Sequence, residues 1–480
     1  MKLNSLIKHI VHDKKDLSNI NIYKICTNSK NVEKGSLFVA INGEEHDGHN
    51  YINEAIENGA AAVISNGKDI GKLPVPNLRV SNTRLAASKV AAEFYNYPSK
   101  ELKIIGITGT NGKTTTASLI YSILKQSNFK AAQLGTLGVI ADGFDKNKTL
   151  TTPDPITLQK MLRDLSDNSF THVVMEVSSH ALDQFRVADI DFDISIFTNL
   201  SKEHLDYHND METYFKTKSR LFRMMPITGT SIIHTDKDYG MKMKLESSAP
   251  VVSISMNDTG DIHYKDINYS LSGINGFIKA GNEKIVFNSK LVGEFNAENI
   301  LSAVSAGITL NISPNIIERA IEETDLIEGR MEIFKTKDEK SIVVDYAHTP
   351  DSYFKVLSTL KKLHSSKNKM HVLFGCGGNR DSTKRSEMGR IAAEFADKIW
   401  ITPDNPRFEN IEKINSEITK GIDKNKYDVF VNRQDGLETA IKNIGSGDML
   451  VVLGKGREKY QDINGTKLKY SDIEIIEKYL

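Results

Sequence analysis

The sequence predicts an α/β fold of three domains, two of them built on doubly wound parallel sheets. Three observations lead there. The chain has 480 residues, more than one core usually organises, and a typical domain of about 150 residues gives about three. Short apolar runs of strand length alternate with helix-like segments. The strand-like runs of the second and third blocks also stop at conspicuous polar residues, as parallel strands do where their carboxyl ends face a ligand.

The first block covers residues 1–99. Its segment TNSKNVEKGSLFVAINGEEHDGHNYINEAIENGAAAVISN carries a strand from Leu37 to Ile41, a helix from about Tyr51 to Asn58 and a strand from Ala61 to Ile64, an α/β rhythm. It closes near Tyr97-Pro98-Ser99. The second block, residues 100–328, opens on the strand LKIIGIT and continues through THVVMEVS and DISIFTNL. The third, residues 329–480, repeats the pattern in SIVVDYA, MHVLFGC, KIWIT and MLVVLG. No internal repeat, heptad run or low-complexity segment interrupts them.

Composition narrows the partners. Lysine plus arginine (62) equals aspartate plus glutamate (62), so there is no general basic field for a nucleic acid, and small molecules are expected instead. The two cysteines, Cys26 and Cys376, are far apart and have no metal-ligand neighbours, which suits a reducing cytoplasm. The N-terminal MKLNSLIKHIVHDKKDL is too charged for a signal peptide. No apolar run approaches the ~18 residues of a membrane span, so no membrane insertion is expected.

Chemistry begins at GITGTNGKTTTASLI, Gly106 to Ile120. Gly109, Thr110, Asn111, Gly112, Lys113, Thr114 and Thr115 offer successive backbone N–H groups, one lysine and a file of hydroxyls between a strand and a helix. That is a phosphate cradle. The common nucleotide-loop spacing would need glycine at Ile107, so this loop is one residue longer and starts at Gly106. The central sheet is therefore expected to be of P-loop ATPase type.

The next strand ends deliver Glu176, Ser178, Ser179, His180, Gln184 and Arg186, and then Asn199, His204, Asp206 and His208. A carboxylate beside bound phosphates suggests magnesium, a hard cation that takes oxygen ligands. His204 and His208 have the spacing of a zinc pair on a helix, but no glutamate follows His204 and no third ligand is evident. In the third block the strand ends supply Asp345, His348 and Asp351; Asn379, Arg380, Asp381, Lys384 and Arg385; Asp404, Asn405 and Arg407; and Gly454, Lys455, Arg457 and Glu458. Cations and carboxylates gathered at several strand ends suit a zwitterionic acceptor such as an amino acid, with arginine forks for carboxylates and acids for an ammonium.

Taken together, TGTNGKTTT, EVSSHALDQFR, FTNLSKEHLDYH, YFKTK, GEFNAENILSA, GRME, DYAHTPD, GNRDSTKR, DNPR and GKG resemble the Mur ligases of the MurE type over nearly the whole chain. The resemblance implies a UDP-substrate domain, a central ATPase domain and a C-terminal Rossmann-like domain that brings the incoming amino acid. It implies addition of meso-diaminopimelate to UDP-N-acetylmuramoyl-L-alanyl-D-glutamate through an acyl phosphate, with ATP and Mg2+, in peptidoglycan synthesis and hence in cell shape and division. A cytoplasmic monomer is expected.

By the same resemblance Lys113, Glu176, His204 and Lys218 are catalytic, and Thr115, Glu176, His204 and Lys218 hold the metal, Lys218 as a carbamate. Lys216 lies nearby in the same YFKTK segment. ATP would meet the loop together with Asn296, Asn299, Arg330, His348 and Asp351. The UDP substrate would meet Ser29, Thr151, Thr152, Ser178, Gln184 and Arg186. The amino acid would meet Arg385, Asp404, Asn405, Arg407, Gly454 and Glu458. Two departures stand out: Arg457 replaces the usual histidine after GKG, and TNSK replaces a commoner TNSR. A lysine-adding relative stays open as an alternative. A P-loop switch or transport ATPase is more remote because it needs no amino-acid pocket, and a folate-type ligase because the TNSK block is intact.

Overall fold

The computed structural model describes residues 1–10, 17, 19–43, 46–68, 70–146, 150–325 and 327–480. It divides into two compact units that interleave along the chain, one of residues 1–109, 124–197 and 215–253, the other of residues 110–123, 198–214 and 254–480.

In the first unit, strands Lys24–Cys26, Ser36–Val39, Ala60–Ser65 and Asn77–Arg79 form a parallel sheet in that order. The two expected strands and the one expected helix, Ile52–Glu57, thus have boundaries within two residues of the sequence expectation. The helix Thr83–Phe94 starts where the Asn82 side chain accepts from Leu85 N–H, a side-chain N-cap. Its Ala86, Ala87 and Val90 join Leu37, Val39, Ala62 and Ile64 in one core.

The same unit holds a second parallel sheet, in spatial order Thr230–His234, Ile194–Phe197, Lys103–Thr108, His172–Glu176 and Ala131–Gly135, to which Gly138–Ile140 adds an antiparallel edge. The apolar strand Lys103–Thr108 lies at its middle, with later strands on both sides. The chain therefore changes winding direction beside this strand, and the crevice at its carboxyl end is where an open α/β sheet takes a ligand.

In the second unit, Ile262–Ser270, Gly273–Ala280 and Glu283–Ser289 form an antiparallel meander that the sequence analysis did not anticipate. Only a few of its side chains are buried, Ile262, Tyr264, Ile274, Ile278, Ile285 and Phe287 among them, so its polar content hides the alternation. Beyond it, six strands run in the order Glu332–Lys335, Ser341–Asp345, Met449–Leu453, Met370–Phe374, Lys398–Ile401 and Tyr427–Val429, all parallel except the first. Alternate residues feed two cores. Val343, Val372 and Ile399 pack with Val356, Leu357 and Leu360 of one helix layer, and Ile342, Val344, Leu373 and Trp400 pack with Leu437, Ala440 and Ile441 of the other. Helices on both faces of a parallel sheet give the expected doubly wound α/β class.

Candidate active site

The nucleotide-loop residues from Thr110 to Thr115 lie in the second unit and are tied down by the segment around Asn199. Thr110 N–H donates to Asn199 O at 2.9 Å, Asn111 N–H to Asn199 Oδ1 at 3.0 Å, and Thr198 Oγ1 to Asn111 O at 2.7 Å. Ser201 N–H donates to Thr110 Oγ1 at 3.0 Å. Gly112 has φ +86, a conformation that favours glycine, and a Cβ on it would lie 2.2 Å from Asn299 Oδ1, so any side chain there would displace the Asn299 amide. Asn296 and Asn299 are three apart on the helix Glu294–Thr309 and share a face. Asn299 Nδ2 donates to Asn296 Oδ1 at 3.1 Å and Thr116 Oγ1 to Asn299 Oδ1 at 3.3 Å.

A cleft opens here, lined by Asn111, Gly112, Thr114, Thr115, Asn296, Asn299, Arg330 and His348 among others. Of the proposed nucleotide contacts, Asp351 stands at its edge: its Oδ2 accepts from Asn111 Nδ2 at 2.9 Å and from Ser201 Oγ at 3.0 Å and pairs with Lys355 Nζ at 2.9 Å. Arg330 lies over the Tyr346 ring, 5.1 Å from its centroid. Lys113 Nζ donates to Thr110 O at 2.8 Å.

Glu203 escaped the sequence analysis. Its side chain is largely buried, 3.5 Å from His348 Nε2 and 3.8 Å from His204 Nε2. Burial pushes its carboxyl up, but His348, His204 and Lys113 outweigh that and hold it well below the usual carboxylate range. The only sequence signal was its place before His204 in KEHLDYH. His204 has φ +55, and His208 is buried beside the Tyr214 ring at 5.0 Å. Among the described residues, no three His, Cys, Asp or Glu side chains are grouped to hold a metal by themselves.

The acceptor-side residues follow three adjacent strands. Gly375, Gly377 and Gly378 let the Asp404–Arg407 loop pack closely: a Cβ at Gly375 would lie 1.9 Å from Thr402 O, and one at Gly378 1.9 Å from Pro406 O. A Cβ at Gly454 would lie 2.6 Å from Asp404 Oδ2. Buried Lys455 donates to Glu458 Oε2 at 2.9 Å and to Asn405 Oδ1 at 3.1 Å, and Asn405 Nδ2 donates to Glu458 Oε2 at 2.9 Å. Behind them the fully buried Arg433–Asp472 pair braces Thr402 and Leu453 O. Arg407 donates through Nη1 to Gly378 O at 2.8 Å. Arg385 is fully buried, its fork committed to Glu409, Glu417 and Gly377 O. In this conformation it braces the glycine loop instead of offering a free fork.

In the first unit six of the predicted residues form one network. Glu176 accepts from Thr136 N–H at 2.8 Å and Thr136 Oγ1 at 3.1 Å, Thr151 Oγ1 lies 3.4 Å from Thr136 Oγ1, and Thr152 Oγ1 donates to Glu176 O at 2.9 Å. Ser178 N–H donates to Thr152 Oγ1 at 3.0 Å, Arg186 to Thr152 O at 2.8 Å and to Gln184 Oε1 at 2.7 Å. Ser29 stands apart in the N-terminal sheet, where it donates to Glu54 Oε2 at 2.9 Å. Lys218 is buried and donates to Gly109 O at 2.8 Å, whereas Lys216 is exposed.

Comparison with known proteins agrees with this geometry. Three family models match in succession: the Mur ligase family catalytic domain at residues 21–95, the Mur ligase middle domain at 107–307 and the Mur ligase glutamate ligase domain at 329–456. The UDP-N-acetylmuramoyl-L-alanyl-D-glutamate--2,6-diaminopimelate ligase of Aquifex aeolicus is 40% identical over 457 residues, which are 95% of this chain and 93% of the relative. The chain belongs to the Mur ligase family.

A protein of the same description from Caldanaerobacter subterraneus is 36% identical to this Mur ligase, over 100% of the chain and 99% of the relative. A solved structure of that description has a TM-score of 0.72 at 29% identity, covering 100% of this Mur ligase and 98% of that chain. The MurF ligase of Thermotoga maritima, solved in complex with ADP, shares the fold, with a TM-score of 0.63 at 18% identity over 91% of this chain and 94% of its own. No helix among the described residues of this Mur ligase is long and apolar enough to cross a membrane.

Proposed function

We propose that this ATP-dependent Mur ligase joins meso-diaminopimelate to UDP-N-acetylmuramoyl-L-alanyl-D-glutamate in peptidoglycan synthesis. The observation that carries the reading is the glycine loop moulded on Asn299 in a cleft lined by Arg330 and Lys355, in a chain similar along its whole length to diaminopimelate ligases.

A carboxylate is a poor electrophile. Its oxygen attacks the γ-phosphorus of ATP, ADP leaves and an acyl phosphate forms. The neutral amine of diaminopimelate then attacks the acyl carbon, its nitrogen gives up a proton to solvent, and the tetrahedral intermediate expels phosphate as the C–O bond breaks. Two anions must meet in the first step, which fixed positive charge makes tolerable. Lys113 and Arg330 are assigned to that charge, Gly109 to Thr115 to the phosphates, and Asn296, Asn299, His348 and Asp351 to the rest of the nucleotide. Glu203 acts through His348, holding its ring.

Magnesium, when bound, draws charge off the phosphates. The Glu176 carboxylate and the Thr115 hydroxyl are hard oxygen donors of the kind it takes, and His204 is assigned to it as well. Lys218 as an ammonium cannot ligate a cation. As a carbamate it would present oxygens, and its burial, in contrast to exposed Lys216, favours it as the modified residue. Lys218→Ala is expected to be nearly inactive, with partial recovery in acetate. A high-resolution structure showing a bare ammonium at residue 218 beside bound ATP and magnesium would contradict the carbamate.

Ser29, Thr151, Thr152, Ser178, Gln184 and Arg186 are assigned to the UDP substrate. Asp404, Asn405, Arg407, Gly454 and Glu458 are assigned to diaminopimelate, with Arg385 joining them if it exchanges one of its present carboxylate partners. The division at 1–99, 100–328 and 329–480 goes with these roles, and a monomer in the cytoplasm is the setting proposed. The test is mass spectrometry of the product from ATP, the UDP-muramoyl dipeptide and diaminopimelate. One new amide bond per ADP supports the reading, and unchanged dipeptide contradicts it.

A further inference from the structure

Arg457 stands where the family resemblance leads to a histidine, and none of the roles above falls to it. The structure pairs it with Glu332. Arg457 Nε lies 2.9 and 3.0 Å from the two carboxylate oxygens, and Nη2 lies 2.8 Å from Oε2, a charge-assisted fork. The Glu332 side chain is 4% exposed and that of Arg457 43%. Glu332 also accepts from the backbone N–H of Gly329. The pair therefore fastens the loop Gly454–Glu458 to the turn Gly329–Glu332.

Between these two segments the backbones almost touch. A Cβ at Gly456 would come within 3.2 Å of Gly329 Cα, and one at Gly329 within 3.2 Å of Arg457 N. A glycine-on-glycine contact has no side chains of its own to hold it, and the forked ion pair is the side-chain link across it. On one side the turn carries Arg330, which lines the nucleotide cleft. On the other the loop carries Glu458, held by Lys455 and Asn405. Tyr346 feels both: burial, then the charge of Glu458, pushes its phenol up to about 12, while Arg330 works the other way. Tyr346 N–H donates to Gly329 O at 2.9 Å and Gly454 N–H to Asp345 O at 3.2 Å, which ties both segments to the end of the same strand.

We infer that Arg457, through Glu332, is a positioning residue that sets Arg330 in the nucleotide cleft and Glu458 in the acceptor site together. The inference rests on the acceptor assignment made above. Arg457 is not among the residues that line the cleft, and its side chain meets the turn that carries Arg330 through Glu332.

The test compares wild type, Arg457→Ala and Arg457→Lys, each with its unfolding temperature. Arg457→Ala is expected to bind a non-hydrolysable ATP analogue about tenfold more weakly with no other ligand present, within the usual span of site-to-site couplings. Its KM for diaminopimelate rises by a similar factor while its KM for the UDP-muramoyl dipeptide is unchanged. Arg457→Lys recovers part of the loss, because it keeps the charge and not the fork. Unchanged nucleotide affinity in Arg457→Ala overturns the inference, as does an equal rise in all three constants with a lowered unfolding temperature. If wild type does not use diaminopimelate, the acceptor assignment fails on its own, and the nucleotide titration still decides whether the pair sets Arg330.

Discussion

Lys113→Ala is expected to fold as well as wild type and to lose at least ~100-fold in kcat, the usual cost of removing one charge-stabilising group from a transition state. Lys113 is the first residue of the helix Lys113–Gln126, where the positive end of the helix dipole disfavours a cation by about 0.3–1 kcal/mol. Alanine is also the better helix former. Against that, Lys113 Nζ donates to Thr110 O, three residues back, at 2.8 Å, and its charge favours the Glu203 carboxylate. A phosphate group would offer it a stronger partner. Thermal unfolding paired with steady-state rates checks this. An unfolding temperature close to wild type with collapsed turnover is the expected pattern, and wild-type turnover at saturating ATP would remove Lys113 from the reaction.

Arg407→Ala is expected to abolish the preference for diaminopimelate over lysine. The two amino acids differ by a carboxylate on the far carbon, which an arginine fork binds in two places. Wild type should discriminate by roughly 10⁴, as sites do when the wrong ligand leaves a polar group unpaired. Arg407 adopts φ +51, a left-handed conformation costing a non-glycine residue about 1–2 kcal/mol. The backbone there is held from both sides, Arg407 N–H donating to Asp462 O at 2.9 Å and Arg407 O accepting from Asn464 N–H at 2.7 Å. That bracing aims the guanidinium, which reaches Gly378 O but stays 3.9 Å from Asp462 Oδ2. The measurement is kcat/KM for each amino acid in wild type, Arg407→Ala and Arg407→Lys. Selectivity unchanged in the alanine variant would move the recognition elsewhere.

Much of this was legible in sequence because buried parallel strands write themselves plainly. SIVVD and MLVVL, fully buried in the fold, centre on aliphatic runs, and the glycine loop follows such a run directly. The meander from Ile262 to Ser289 was not legible, since strands such as IHYKDINYS bury little and read as loop. Glu203 looks like any other acid until His348, far away in the chain, is brought beside it. Thr136 completes the surroundings of Glu176 from a turn with no motif of its own. Arg385 of GNRDSTKR is likewise held by Glu409 and Glu417 from later segments, partners its own motif does not announce. Local chemistry can be read from residue order, whereas partners supplied by distant segments depend on packing.

The most direct test of the central claim is ADP release with each cosubstrate withheld in turn, followed by lysine in place of diaminopimelate. ADP is expected in step with tripeptide, only when both the UDP-muramoyl dipeptide and diaminopimelate are present, and lysine is expected to support almost none. ATP turnover that proceeds without either cosubstrate, or equally with lysine, would contradict the account.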